Sequence, residues 1–310
     1  MVLAISRELS PEMFEPVTLK QGEAEALTRP VISYWQDAWR RFKKNRLALF
    51  GLGILIFMGL LSIFGPYFTP YDYREQSLLY CNMLPSREHW LGTDNLGRDI
   101  FARLCYGARI SLFIGIMAAT MDLVIGVIYG GISGYCGGIV DDIMMRVVDV
   151  LYGIPWLIIV ILLLVVMPPG LWTIILAMSI TGWIGMARLV RGQILQIKEQ
   201  EYVLAAQVLG ASPARIIARH LVPNAMGVII VNLTFTIPSA IFGEAFLSFI
   251  GLGVPLPLAS LGSMANDGYQ YLLIYPYQLF FPAIAICLIM LGFNFVGDGL
   301  RDALDPKLRQ

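Results

Sequence analysis

The sequence predicts an all-α integral membrane protein with six transmembrane helices. Of its 310 residues, 57% are hydrophobic and only 14% are charged, whereas a soluble domain has about 45–50% apolar and about 25% charged residues. Six apolar runs are each long enough for a membrane-spanning helix, which needs about 20 such residues. The excess apolar side chains must therefore face lipid, and a soluble fold is excluded.

The six runs follow one another along the chain at residues 47–64, 110–133, 150–167, 170–187, 225–252 and 272–297. The second run carries one charged residue, Asp122, the fifth carries Glu244, and the other four carry none. Pro155 lies inside the third run, where neighbouring helices can compensate for a proline. The Pro-Pro-Gly sequence at residues 168–170 predicts a tight turn between the third and fourth spans.

The distribution of cations predicts the topology, because Lys and Arg accumulate in cytoplasmic loops. With the N-terminus inside, only five of the 22 Lys and Arg residues fall outside, all of them in the first external loop. The last external loop, residues 253–271, has none. Both termini are therefore predicted to be cytoplasmic, and residues 1–33 are predicted to form a polar cytoplasmic tail.

A short amphipathic segment precedes the first span. Trp35, Ala38, Trp39 and Phe42 recur at helical spacing with cations on the other face, which is typical of a helix lying in the membrane interface. A basic, aromatic flank is also common before any first span, so a role beyond anchoring is left open. This segment, the first span and the first external loop form a predicted N-terminal region, residues 34–104, ahead of a five-span core, residues 105–310.

The sequence contains no recognised catalytic motif. There is no GxxxxGK[ST] phosphate loop, no HExxH motif, and His89 and His220 are the only histidines. A membrane enzyme would need clustered nucleophiles, metal ligands or acid–base pairs near one face. The chain is therefore predicted to be no enzyme and to bind no metal or cofactor. The four cysteines lack metal spacing, and a pairing of Cys81 with Cys105 is left open.

Two acids and a glycine stripe stand out within the spans. An acid inside a span is costly and is a functional candidate by default, so Asp122 and Glu244 are candidates for a translocation path. The alternative is that each is hydrogen-bonded inside the bundle. Gly126, Gly130 and Gly134 recur every fourth residue, which predicts close packing against another helix.

The loop between the fourth and fifth spans, residues 199–224, predicts a helix–turn–helix. Residues 199–209 are good helix formers, and Gly210 suits the left-handed conformation that ends a helix. Ser212 is a natural N-cap and Pro213 a natural first helical residue. The second helix carries Arg215 on its surface and is expected to end at Pro223.

This loop resembles the EAA loop of bacterial binding-protein-dependent ABC importers, with Ala205, Ala206, Gly210 and Pro223 in register. Glu201 lies too early in the turn to replace the acid of that pattern. Three positions depart from it, and they match the peptide permeases: Leu204, His220 and Val222. Three further stretches resemble the C-type subunit of those permeases: residues 92–99 (GTDNLGRD), 244–253 and 294–306.

The resemblance implies a type I ABC importer (MetI-like) permease fold with an extra N-terminal span, in the cytoplasmic (inner) membrane of a bacterium. It implies that the chain moves dipeptides or oligopeptides inward as one half of a heterodimer with a homologous B-type permease. Two cytosolic ATPases would bind the ATP and Mg, and an external peptide-binding protein would deliver the substrate. Lipid is the remaining partner expected, and nucleic acid is not.

The resemblance also implies two contact sites. The residues of the loop expected to dock on an ATPase are Glu201, Ala205, Ala206, Gly210, Ser212, Pro213, Arg215, His220, Pro223 and Asn224. Asp94, Arg98 and Asp99 are candidates for contact with the partner permease or the binding protein. The alternative for Arg98 and Asp99 is a solvated charge pair at the entry to the second span.

Other functions remain open on the sequence. Permeases for nickel chelates or glutathione are similar to the peptide permeases. A stand-alone secondary transporter would show internal repeats and polar residues in discontinuous helices, and no convincing repeat is present. A membrane interaction protein without transport activity would not need the capped loop at residues 199–224.

Overall fold

The computed structural model describes residues 33–305, and the regular secondary structure in them is helical apart from one isolated β-bridge between Thr93 and Asp99. The predicted tail at residues 1–33 therefore lies outside the described residues except for Ser33, as does the C-terminus. The described residues from Ala38 onward belong to one compact unit. Eleven α-helices follow one another in it and in the segment before it: α1 (Tyr34–Phe42), α2 (Arg46–Phe64), α3 (Ile100–Cys136), α4 (Gly138–Gly153), α5 (Trp156–Val166), α6 (Leu171–Ile197), α7 (Glu201–Val208), α8 (Pro213–Ile216), α9 (Val222–Phe249), α10 (Leu261–Tyr269) and α11 (Tyr277–Leu304).

Five of the six predicted spans are continuous helices, and the remaining one, the third, is a bent pair of helices. The five are α2, α3, α6, α9 with the turns before it, and α11. The predicted third span is the exception, because α4 and α5 meet at an angle of 83°. Pro155 separates them: it has no N–H to donate, and its ring would overlap the carbonyl of the preceding turn. The prediction of a continuous helix through Pro155 is therefore wrong.

The helices are longer than the apolar runs that predicted them. α3 begins at Ile100, and α6 continues to Ile197, because charged residues such as Arg103 and Arg191 continue the helices beyond the apolar runs, each of them paired with an aspartate. The predicted boundary between residues 104 and 105 falls inside α3. The last span starts only at Tyr277, because residues 270–276 form turns between it and the separate helix α10 at residues 261–269.

The segment before the first span is helical, as predicted. Trp35 and Trp39 are half exposed, whereas Phe42 is buried against Ala48 and Ala303. Its position in a membrane interface stays a prediction. All four cysteines are free thiols, so Cys81 and Cys105 do not pair, and Cys105 is buried.

The glycine stripe predicted to pack closely does so, between α3 and α6. A Cβ atom at Gly126 would lie 2.6 Å from Met186 Cβ, and one at Gly134 would lie 2.9 Å from the carbonyl oxygen of Arg191. A Cβ at Gly130 would overlap the carbonyl oxygen of Ala187. The absent side chains let the two backbones touch, which fixes the distance between α3 and α6.

Replacing Gly130 with valine is expected to destabilise the protein by about 1–3 kcal/mol or more, the usual cost of overpacking. The obstacle is a backbone carbonyl, which no side-chain rotation removes. Thermal unfolding in detergent measures the effect. Gly59→Val is the control, because a Cβ at Gly59 of α2 meets nothing within 4 Å. Equal unfolding midpoints for the two variants would contradict the role assigned to Gly130.

Candidate functional site

The segment at residues 199–224 forms the predicted helix–turn–helix. α7 ends at Val208, and Gly210 takes a φ of +78°, the left-handed conformation that an L side chain rarely adopts. The Ser212 hydroxyl caps α8 by accepting from the Arg215 amide at 3.4 Å, and Pro213 is the first residue of α8. The predicted stop, cap and first helical residue are confirmed.

The second helix of this segment does not end at Pro223. Residues Ile217–Leu221 form a π-helical turn, and the chain continues through Pro223 into α9. The wider turn changes the hydrogen-bonding pattern ahead of a residue that has no N–H. The Asn224 side chain donates to the carbonyl oxygen of His220 at 2.6 Å. The segment is therefore continuous with the fifth span, and the prediction that its second helix ends at Pro223 is wrong.

The segment has one buried face and one exposed face. Val203, Ile216 and Leu221 are fully buried in a cluster with residues of α6 and α9. On the other side, Val208 and Leu209 are 88% and 86% exposed. Two almost fully exposed aliphatic side chains at a helix end are costly in water and are typical of a contact surface. Their residue type did not identify them from the sequence, because aliphatic residues are equally common in cores.

The ten predicted docking residues lie outside the buried core. Ala206 and His220 are partly buried, and the other eight are exposed: Glu201, Ala205, Gly210, Ser212, Pro213, Arg215, Pro223 and Asn224. They are thus available to another molecule, together with Val208 and Leu209.

A pocket of about 550 Å³ opens between α3, α6 and α9. Its polar lining residues are Asp122, Thr181, Asn232, Thr236 and Ser239. Apolar groups complete the lining, notably Trp156, Met178 and Phe235. The volume lies within the roughly 300–1,000 Å³ of small-molecule sites.

The two acids within the spans have opposite surroundings. Asp122 lines the pocket, and its Oδ1 atom is buried without a hydrogen-bond partner. Glu244 is fully buried, and its carboxyl accepts from the hydroxyls of Ser111 and Ser248, each at 2.7 Å. The structure corrects the placement of Glu244 on a path: in this conformation it joins α3 to α9 inside the bundle, which was the alternative.

The GTDNLGRD sequence forms a buried polar cluster between the first two spans. The Asp94 carboxylate accepts from Arg98 Nε at 2.6 Å and from Arg103. Both arginines also donate to Asp267 of α10, each at 3.2 Å. Asp94, Arg98 and Arg103 are buried, and Asp267 is partly exposed. The cluster connects the loop to the start of α3 and to α10.

The predicted solvated pair of Arg98 with Asp99 is wrong. Asp99 caps α3 by accepting from the Ala102 amide at 2.8 Å and bonds His89 Nδ1 at 2.9 Å. Arg98 bonds Asp94 and Asp267 instead. Because Asp94, Arg98 and Asp99 are buried within the chain, they present no surface to a partner here. The sequence did not reveal Asp267, which lies more than 160 residues away from the arginines it binds.

Comparison with known proteins gives consistent matches. Residues 123–310 match the family model described as "Binding-protein-dependent transport system inner membrane component". Residues 33–85 match the model described as "N-terminal TM domain of oligopeptide transport permease C". The two models together cover most of the described residues, including the segment at 199–224 and the pocket lining apart from Ala118 and Asp122.

Several curated proteins resemble the chain over nearly its full length. The oligopeptide transport system permease protein OppC of Bacillus subtilis is 58% identical, covering 98% of this chain and 100% of the relative. The dipeptide transport system permease protein DppC of the same organism is also 58% identical, covering 94% and 91%. OppC of Escherichia coli K12 is 43% identical, covering 89% and 92%.

A solved structure of the MetNI methionine ABC transporter, in an inward-facing conformation, shares the fold. Its TM-score is 0.52 at 22% identity, and the match covers 64% of this chain and 94% of that chain. A second crystal form of MetNI gives the same TM-score at 23% identity. The predicted type I importer fold is therefore confirmed.

Proposed function

The chain belongs to the family of binding-protein-dependent transport system inner membrane components, and from that premise we propose that it is a permease subunit of an ATP-driven importer of dipeptides or oligopeptides. The relatives named for those substrates are up to 58% identical to it over nearly its whole length. It crosses the membrane several times and provides one half of the transport pathway. Nickel chelates and glutathione are the alternative substrates.

The segment at residues 199–224 is the observation that carries the proposal. It presents Val208 and Leu209 to solvent while Val203, Ile216 and Leu221 anchor it on two spans. An ATPase that covers the exposed side chains can therefore displace α6 and α9 directly. The segment acts as the coupling loop, with ATP and Mg bound by two partner ATPases and not by this chain.

The remaining partners follow from the family. A homologous B-type permease completes the pathway as a heterodimer, and an external peptide-binding protein delivers the substrate. The coupling loop must face the ATPases, which places both termini in the cytoplasm and the loop between α2 and α3 outside. This orientation agrees with the distribution of Lys and Arg, and the membrane is the bacterial cytoplasmic membrane.

Co-purification and reconstitution test the proposal. A tag on this chain is expected to recover a B-type permease and two ATPases that are co-expressed with it. In proteoliposomes, ATPase activity is expected to rise several-fold with peptide-loaded binding protein. Binding protein loaded with a nickel chelate or with glutathione provides the substrate controls. Uptake by the chain alone, without ATPases, would contradict the proposal and indicate a secondary transporter.

A further inference from the structure

Asp122 is a buried acid, and one of its carboxylate oxygens has no hydrogen-bond partner in the part of the chain that the structure describes. Its side chain belongs to a residue that is only 5% exposed, and Oδ1 has no hydrogen-bond donor among the described residues. Glu244, the other acid within the spans, has two serine hydroxyls bonded to it. Burying an unpaired polar group costs several kcal/mol. The described part of the fold provides hydrogen-bond donors for Glu244 but none for Oδ1 of Asp122, which indicates that Asp122 interacts with a ligand.

The surrounding backbone positions this carboxylate. A Cβ atom at Gly182 of α6 would overlap both oxygens of Asp122. Only glycine at this position leaves room for the carboxylate between α3 and α6. The carboxylate is therefore held against α6 at the wall of the pocket between α3, α6 and α9.

The composition of the pocket lining favours a cationic ligand, because a single acid is surrounded by neutral residues. Among the described residues that line it, Asp122 is the only ionisable one, so the lining carries no Lys, Arg or His to neutralise it. Thr181 and Asn232 provide neutral hydrogen-bonding groups, and Trp156, Met178 and Phe235 provide apolar surface. No group of three or more His, Cys, Asp or Glu residues suited to a metal occurs in the described part of the chain. A hard metal ion needs several oxygen ligands, so an organic ammonium fits better.

We propose that this pocket binds the protonated amino terminus of a peptide in transit, through an ion pair with Asp122. The inference rests on the proposed function, because it assumes that peptides pass along α3, α6 and α9. The amino terminus is the one cation that every unblocked peptide carries. Amide groups of the peptide form hydrogen bonds with Thr181 and Asn232. The side chains of the peptide contact the apolar wall of the pocket, which accommodates many peptide sequences.

The test compares a tripeptide that has a free amino terminus with the same tripeptide N-acetylated. Uptake of each is measured in proteoliposomes that contain the full complex, at concentrations that saturate the binding protein. The ratio of the two rates is then compared between the wild-type complex and Asp122→Asn. Because the binding protein is the same throughout, its own preference cancels in this comparison.

The ratio of the uptake rate of the free tripeptide to that of the acetylated tripeptide is expected to be at least about tenfold higher in the wild-type complex than in Asp122→Asn. This difference is equivalent to about 1.4 kcal/mol of lost discrimination. Gly182→Ala, which retains the acid but displaces its carboxylate, is expected to lower the ratio in the same direction. Gly182→Ala also provides the test if the complex with Asp122→Asn does not assemble. Glu244→Gln is the matched control and is expected to leave the ratio unchanged, because Glu244 does not line the pocket.

Two outcomes would overturn the inference. Equal loss of uptake for both peptides in Asp122→Asn would assign Asp122 to the bundle. Failure of Asp122→Asn to assemble, together with an unchanged ratio in Gly182→Ala, would assign Asp122 to the subunit interface. Both leave the proposed function intact, since the wild-type complex still imports peptide. If the wild-type complex imports neither peptide, the proposed function fails and this inference fails with it.

Discussion

Replacing Asp94 with asparagine is expected to destabilise the protein by about 3–5 kcal/mol, the usual cost of removing one partner from a buried ion pair. Asp94 accepts hydrogen bonds from both Arg98 and Arg103, and all three side chains are almost fully buried. Asparagine keeps the shape of the side chain but leaves two buried guanidinium groups with one partly exposed acid, Asp267. The loop between α2 and α3 then loses its attachment to α3 and α10.

The buried thiol of Cys105 allows this effect to be measured. In a variant whose other three cysteines are serine, a thiol-reactive fluorophore reports unfolding as Cys105 becomes accessible. Asp267→Asn is the matched control, since Asp267 bonds the same two arginines but its side chain is 39% exposed. The control is expected to unfold close to the wild-type temperature. If both variants lower the midpoint of thermal unfolding equally, the burial of Asp94 does not account for its contribution to stability.

Replacing Gly210 with valine is expected to lower the recovery of the ATPases strongly while leaving membrane insertion normal. Gly210 has a φ of +78°, and a non-glycine residue in such a conformation costs on the order of 1–3 kcal/mol. A Cβ there meets nothing within 4 Å, so the effect comes from the backbone conformation alone. The turn is expected to rearrange and to move Val208 and Leu209 away from their positions.

The measurement is the amount of ATPase that co-purifies with the tagged chain, which is expected to fall at least about tenfold, since 1.4 kcal/mol corresponds to that factor. Gly210→Asn is the control at the same position, because asparagine tolerates the left-handed conformation far better than valine. It is expected to retain most of the ATPase. Normal recovery with Gly210→Val would remove the docking role from this turn.

Much of the fold could be predicted from the sequence because lipid imposes a simple requirement on it. A span needs a long apolar run with its backbone groups satisfied internally, and six such runs are visible. Where a helix begins and ends depends on other constraints. α3 and α6 extend beyond their apolar runs, and α10 was missed because it is short and has a mixed composition. A proline inside an apolar run is often tolerated, but at Pro155 the chain bends by 83° between α4 and α5.

The site was predictable to the extent that its determinants are local. The turn at Gly210 and the cap at Ser212 follow from residue type within a few positions. The exposure of Val208 and Leu209 does not, because their residue type is equally compatible with a core. The same holds for the ion cluster, in which Asp94 and Asp267 are brought together only when α3 and α10 pack.

The sequence by itself determined the membrane class, the number of apolar runs, the turn at Gly210 and the glycine stripe, because each depends on neighbouring residues or on the period of one helix. Only the tertiary structure decided which intramembrane acid is satisfied. Asp122 and Glu244 look alike in the sequence, as single acids within apolar runs. Their difference arises from residues on other helices, the serine of α3 that bonds Glu244 and the glycine of α6 that leaves Asp122 open to a pocket.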